Sequence, residues 1–310
     1  MDLRQLAALA AVADAGSFSA AARRLHTVQS NVSTHIARLE RELGATLVVR
    51  ANGALTEEGE VVVDRVRRVQ RELESLRSDV ASMLHEVSGQ VRLGCIGTAS
   101  RWLLPNLLRV MAERHPRVQV VVLDATTTSL VPQVVSGALD LAVVNLPLGE
   151  DELATEPLFD EQRILAVPFS HPLASREHVE LADLAEHELL LEPRGTPFRD
   201  ELDHEASRLG VEMRAQAEID GVSLLAWLAF QGYGAAILPA TAASGWIDVS
   251  CRRIAVGGLP PRSVGIAIPR RGRPSAPARA VRASIRELVE AADQEGVNPT
   301  LTAERWTEPS

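Results

Sequence analysis

The stretch 22-ARRLHTVQSNVSTHIARLERELG-44 decides the architecture of the first part of this chain. It reads as two helices joined by a turn at His26–Val28. In the second helix, expected over about 29–42, Val32, Ile36 and Leu39 share one face and Gly44 marks the stop. The opposite face carries Gln29, Ser30, Ser33, Thr34 and Arg38. Upstream, Leu3, Leu6, Leu9, Ala10 and Ala13 predict a first helix over about 2–14, ended by Gly16. Ser17 then caps a short helix, 18-FSAAARRL-25, whose small residues Ala20 and Ala21 permit close helix approach. A short supporting helix, a turn of about three residues and a second helix have the spacing of a helix-turn-helix.

Downstream, 45-ATLVVRANGALTEEG-59 predicts a short strand, a hairpin turn at Asn52-Gly53 and a return. Thr56 caps the next helix, with Glu57 and Glu58 in its first turn, where the helix dipole favours acids. The unit is therefore read as a winged helix-turn-helix. A glutamine can make paired hydrogen bonds to adenine in the major groove, and Ser or Thr can serve bases or phosphates. The first backbone N–H groups of such a helix can hold a phosphate. Arg50, at the base of the wing, is placed to reach a phosphate or the minor groove. The same polar face would equally suit an ordinary solvated helical hairpin.

Charge sharpens the question. The chain carries a net charge of -9 and has no lysine. Residues 1–60 hold six arginines against seven acids. Such a balance argues against a nonspecific nucleic-acid coat and leaves room for a locally organised contact. Specific binding would require two or more such domains acting together.

Residues 1–60 resemble the DNA-binding domain of LysR-type transcriptional regulators. The resemblance rests on GSFSAAARRL, QSNVSTHIARLERELG, the segment from Leu47 to Arg50, and LTEEG, in that order and spacing. It implies DNA contact by Gln29, Ser30, Ser33 and Arg50, with Thr34 and Arg38 as further candidates. Two positions depart from the family pattern. Val28 stands where a capping Ser or Thr is usual, so either Thr27 takes the cap or the helix starts less firmly. Val48 replaces the usual Phe, a smaller contact beneath the wing.

From Glu57 to about Val87 nothing breaks a helix. Val62, Val66, Val69, Leu73, Leu76, Val80 and Met83 alternate by four and three residues, which is a heptad seam. A stripe this narrow on so long a helix calls for a partner, either a second helix or the chain's own larger domain. The resemblance implies a dimerising linker helix and a homotetramer built as a dimer of dimers. A dimer would present two recognition helices to a dyad-symmetric site on double-stranded DNA. RNA polymerase stands as a further candidate partner.

The remainder alternates strands and helices. Strands are expected at 90–97, 118–125, 139–145, 163–168, 188–192, 214–219 and 264–269, with a loop and strand in 232-GYGAAILP-239. Helices are expected at 101–116, 129–137, 198–209, 222–230 and 276–292. That order argues an α/β domain with a mostly parallel sheet. It resembles the effector-binding domain of the same family, which is similar to periplasmic solute-binding proteins: two α/β subdomains crossed twice by the chain. The crossovers are placed near 161–163 and 266–269.

The expected division is thus a DNA-binding domain at 1–58, a linker helix at 59–88 and an effector domain at 89–293. Within the last, subdomain I takes 89–161 and 268–293, and subdomain II takes 162–267. Residues 294–310 are expected to be disordered.

Ligands in such folds sit at strand C-terminal ends and helix N-termini. That rule selects Thr98, Ala99 and Ser100; Thr126 and Thr128; Arg194 and Thr196; and Val222. Hydroxyls and helix-end amides suit a small anion, with Arg194 or Arg101 to neutralise it. Each hydroxyl could equally be a plain cap or turn residue. The two cysteines, Cys95 and Cys251, read as small buried hydrophobes rather than redox centres. No metal spacing, catalytic motif or cofactor motif is present, so a non-enzymatic regulator is expected. The alternative is a solute-binding or enzymatic α/β protein whose N-terminal helices bind a protein partner. No apolar run approaches the roughly 20 residues needed to span a bilayer. The N-terminus lacks the pattern of a signal peptide, so a cytoplasmic protein is expected.

Overall fold

The computed structural model describes residues 1–84, 86–243 and 251–294. Of the expected disordered tail, 294–310, Gln294 ends the last helix and the rest lies outside them. The chain divides into two compact units, one built on residues 1–84 and the other on most of the remainder.

In the first unit, α1 spans Leu3–Ala15, α2 Phe18–Arg24, α3 Gln29–Leu43 and α4 Glu57–Leu84. Local chemistry sets most of these boundaries. Asp2 accepts hydrogen bonds from the Arg4 and Gln5 amides while the Gln5 side chain accepts from the Asp2 amide, a reciprocal cap. Ser17 accepts from the Ala20 amide at 3.2 Å, and Thr56 from the Gly59 amide at 3.0 Å. Gly16 and Gly44 close α1 and α3 in the left-handed conformation. Leu9, Val12, Ala21, Val32, Ile36, Leu39, Leu47 and Val48 are sealed from solvent. The wing is smaller than expected: one antiparallel bridge, Val48 to Leu55, in place of two strands. Gly59 is needed where α4 passes the wing, because a Cβ there would stand 2.1 Å from the Leu47 carbonyl oxygen.

The heptad seam divides. Val66 is 2% exposed and completes the core of this unit together with Val63, with Val62 partly buried against it. These first turns of α4 therefore face inward, not toward a partner. Farther along, Val69, Leu76, Val80 and Met83 are 40%, 60%, 50% and 79% exposed, and Leu73 is half-buried.

The second unit has two lobes. The first is a five-stranded sheet in the order β2-β1-β3-β11-β4. Its strands are β1 (Gly89–Cys95), β2 (Val118–Asp124), β3 (Leu141–Leu146), β4 (Leu153–Glu161) and β11 (Arg262–Pro269). The first three are mutually parallel, and β11 runs antiparallel between β3 and β4. Helices α5 (Gly97–Arg114), α6 (Thr127–Val135) and α9 (Ala276–Gln294) accompany it.

The second lobe is more antiparallel than expected. Its main sheet runs β6-β10-β5-β9, formed by β5 (Arg163–Pro168), β6 (His178–Glu180), β9 (Ala236–Pro239) and β10 (Cys251–Gly257). A parallel pair, β7 (Glu188–Leu191) and β8 (Arg214–Glu218), packs with α7 (Pro197–Arg208) and α8 (Val222–Phe230).

The first crossover falls at Gln162, between β4 and β5, as expected. The second falls at 258–261 and not at 266–269, since all of β11 belongs to the first sheet. The reason is in the text GGLPP: its two prolines cannot donate to a sheet ladder, whereas Val264, Ile266 and Ala267 are buried strand residues. Strand β4 went unpredicted because Pro157 interrupts it. It is tolerated there because β4 lies at the sheet edge, with a register shift opposite.

Candidate functional site

The recognition face of the first unit is organised around α3. Val28 occupies its N-cap with no side-chain cap and is 59% exposed. Thr27 does not replace it, because its hydroxyl accepts from the Asn31 side-chain amide at 3.0 Å. The Gln29 and Ser30 amides therefore lack a side-chain acceptor, an arrangement suited to a phosphate. Gln29 Oε1 accepts from the Ser19 hydroxyl at 2.9 Å, which tethers it to α2. Thr34 donates to the Ser30 carbonyl of its own helix at 2.8 Å, so its hydroxyl proton is already committed. Arg38 is exposed and has no carboxylate partner among the described residues.

Arg50 is held in three ways. Its Nη2 pairs with Glu40, its Nη1 donates to Ser33 Oγ at 3.3 Å, and its guanidinium lies 5.3 Å from the Phe18 ring centroid. Glu40 is the residue that the sequence reading missed. Besides Arg50, its carboxylate accepts from the Leu47 amide at 2.9 Å and the Val48 amide at 3.2 Å. It thereby fixes the wing base to the recognition helix. The only hint in the text is its position one residue past Leu39, on the edge of the buried stripe.

In the second unit the predicted residues separate into distinct environments. Thr98, Ala99 and Ser100 open α5 but are buried, at 5%, 0% and 5% exposure. Ser100 donates to the Gly97 carbonyl at 3.0 Å, whereas Thr98 accepts from Arg262 at 2.8 Å. Thr126 and Thr128 form an exposed hydroxyl cluster with Ser129 at the start of α6, at 3.0 and 3.1 Å. Thr196 donates to the Pro193 carbonyl at 2.9 Å and caps no amide. Arg194 is largely exposed and pairs with the exposed Glu212 at 3.2 Å. Val222 starts α8 behind Gly221, and that helix start does approach α5. A Cβ at Gly97 would stand 3.0 Å from the Ser223 hydroxyl and 3.1 Å from an Asp124 carboxylate oxygen.

Three buried arginines, none predicted, stand in this unit. Arg199 is 1% exposed and binds Asp203, Glu218 and the Glu192 carbonyl, joining α7 to the ends of β7 and β8. Arg163 pairs with Glu201 at 3.0 Å over the Phe198 ring, and burial, with Arg262 nearby, pushes its pKa down to about 10. Arg262 pairs with the fully buried Glu161. Glu192 has the opposite problem. Burial holds its carboxyl above the usual range, partly offset by Arg163. These ionic clusters join residues up to a hundred positions apart, which no local pattern reveals.

Residues 3–60 match the model for bacterial regulatory helix-turn-helix proteins of the lysR family. Residues 85–290 match the LysR substrate binding domain. The chain belongs to the LysR family of transcriptional regulators. It is 32% identical over 244 residues to the DNA-binding transcriptional dual regulator OxyR of Escherichia coli K12, covering 78% of this chain and 80% of that one. It is 36% identical over 245 residues to a probable hydrogen peroxide-inducible genes activator of Streptomyces viridosporus, covering 77% and 78%. A full-length OxyR variant from Pseudomonas aeruginosa shares the fold, with a TM-score of 0.71 at 24% identity over 92% of this chain and 98% of that one. Full-length CbnR, solved with its target DNA, gives a TM-score of 0.69 at 26% identity over 93% and 100%. These relatives are LysR regulators, not enzymes, and no single helix among the described residues is long and apolar enough to cross a membrane.

Proposed function

We propose that this LysR-type regulator works in the cytoplasm, reading a dyad-symmetric operator with paired α3 helices. A small polar molecule held between the two lobes of its effector domain would modulate that binding. The supporting observation for DNA reading is the uncapped start of α3 beside Gln29, with Arg50 braced at the wing by Glu40. Gln29, Ser30 and Ser33 would supply sequence preference, and Arg38 and Arg50 phosphate contact, with Thr34 secondary. Pairing is supported by the exposed apolar positions Val69, Leu76, Val80 and Met83, which give one helix an uncovered stripe. A homotetramer, as a dimer of dimers, would multiply the weak attraction of each acidic reader.

For the effector, the hydroxyls at Thr98, Thr126 and Thr128 and the helix starts at Ala99 and Val222 favour a hydrogen-bonding ligand. A small anion would find helix ends there, but Arg163, Arg194, Arg199 and Arg262 are each already paired with a carboxylate. The charge pattern therefore favours a polar ligand over one that needs a free arginine. The names of the relatives invoke hydrogen peroxide, yet the two thiols here are poorly suited to thiolate chemistry. Cys95 and Cys251 are buried, and burial pushes both pKa values up, that of Cys251 to about 11.

A gel shift with DNA from upstream of the chain's own gene, at low salt, tests the reading. A discrete complex that outlasts competitor DNA is expected. No complex would count against the reading that paired α3 helices bind an operator there.

A further inference from the structure

Where α2 and α3 meet at the recognition face, two exposed side chains touch. The Ser19 hydroxyl donates to Gln29 Oε1 at 2.9 Å, across the turn of the helix-turn-helix. The contact occupies Oε1 and uses neither Nε2 hydrogen. Ser19 sits on a firm mount. Its helix is capped by Ser17, which accepts from the Ala20 amide at 3.2 Å, and is held to the core by Phe18, Ala21 and Ala22. Gln29 has a looser one, because it opens a helix whose N-cap, Val28, makes no side-chain cap.

Folding stability is a weak reason for the contact. Both groups are exposed, so water offers each a comparable partner and the net gain is small. Base reading is a stronger reason. The last torsion of a glutamine is broad and roughly two-fold, so a free amide can turn either its oxygen or its nitrogen outward. Turned one way it meets the amino groups of adenine or cytosine; turned the other it meets acceptors on guanine or thymine. A hydroxyl fixed on the neighbouring helix narrows that choice before DNA arrives. Once the groove closes over the pair, water no longer competes, and the bond weighs more than in the free chain.

We propose that Ser19 is a positioning residue for base reading. It holds the Gln29 amide in one pose, so that each recognition helix discriminates one base pair of double-stranded DNA more sharply than a free glutamine would. The pose turns Oε1 toward α2 and leaves the Nε2 donors for an acceptor atom on a base edge. This inference rests on the reading that α3 enters the major groove. It gives α2 a share in specificity as well as in support.

The experiment is selection of the full-length chain on a pool of random-sequence duplexes, with the bound DNA sequenced. Wild type is run beside Gln29→Ala, Ser19→Ala and Ser19→Thr. Ser19 is exposed and Ala favours a helix, so Ser19→Ala retains the fold. Gln29→Ala should flatten the preference at one base pair of each half-site, which marks the pair that Gln29 faces. Ser19→Ala should lower discrimination at that same pair about fivefold and leave the other pairs unchanged. Ser19→Thr keeps the hydroxyl and should restore it. Full discrimination in Ser19→Ala, at a pair that Gln29→Ala flattens, would overturn the positioning role and leave base reading by Gln29 intact. Weakening of all sequences alike in Ser19→Ala would make Ser19 a phosphate contact and would also overturn it. No flattened pair in Gln29→Ala would remove the base-reading role of Gln29 and the proposal with it.

Discussion

Replacing Glu40 with Ala should detach the wing from the recognition helix. The carboxylate is 15% exposed on its side chain and accepts from the Leu47 and Val48 amides at 2.9 and 3.2 Å. Hydrogen bonds to a charged group contribute about 1.5–3 kcal/mol each. Water can reach this partly exposed site, so the lower end applies, giving about 3 kcal/mol for the pair. The ion pair with Arg50 adds at most about 1 kcal/mol, because Arg50 is 43% exposed.

A local loss of about 3 kcal/mol corresponds to roughly a hundredfold faster opening. Exchange of the Leu47 and Val48 amides in the full-length chain measures it directly. Glu40→Gln retains a neutral acceptor and should give an intermediate rate. DNA affinity should also fall in Glu40→Ala, since Arg50 must then be ordered at the moment of binding. Wild-type exchange at both amides would refute the assignment of Glu40 as the anchor.

Other expectations follow from the same structure. Leu76→Asp places a charge in the exposed stripe of α4 and should shift the sedimenting species toward monomer; an unchanged mass would mean that the stripe is not the pairing surface. A thiol reagent at pH 8 should find no fast-reacting cysteine in the native chain and both after unfolding, because burial keeps Cys95 and Cys251 protonated; rapid reaction of either would reopen a redox role. Glu192 holds its proton to higher pH when folded than in the unfolded chain, whose reference value is 4.5. Its charge therefore costs stability at neutral pH, and that cost disappears as pH falls below the unfolded value. Glu192→Gln should raise the Tm at pH 7 and make little difference near pH 4, and a lower Tm at pH 7 would contradict the burial argument.

The first unit was largely legible because its boundaries are chemical and local. Gly16, Ser17, Gly44 and Thr56 each act within a few residues of themselves, and the structure uses all four as expected. Glu40 and Gly59 were not legible, since their roles depend on where Leu47 arrives. The seam was half legible. A four-three stripe announces a buried face, but it does not say whether the cover is the domain's own core, as at Val66, or another helix. In the effector domain the parallel strands of the first lobe were visible as apolar runs. The edge strand β4 was hidden by Pro157, and the second crossover was displaced because an apolar run cannot show which sheet it joins. Arg163, Arg199 and Arg262 carry no local signal of burial, and their partners Glu201, Glu218 and Glu161 lie far away in sequence.

The most direct test of the account is a footprint of the full-length chain on DNA upstream of its own gene, alongside Gln29→Ala and Arg50→Ala. The account predicts two related half-sites separated by about 10 base pairs or a multiple of that. Gln29→Ala should relax sequence preference within each half-site, and Arg50→Ala should weaken all sites alike. A single unpaired protected patch, or losses from Gln29→Ala that are uniform across sequences, would contradict it.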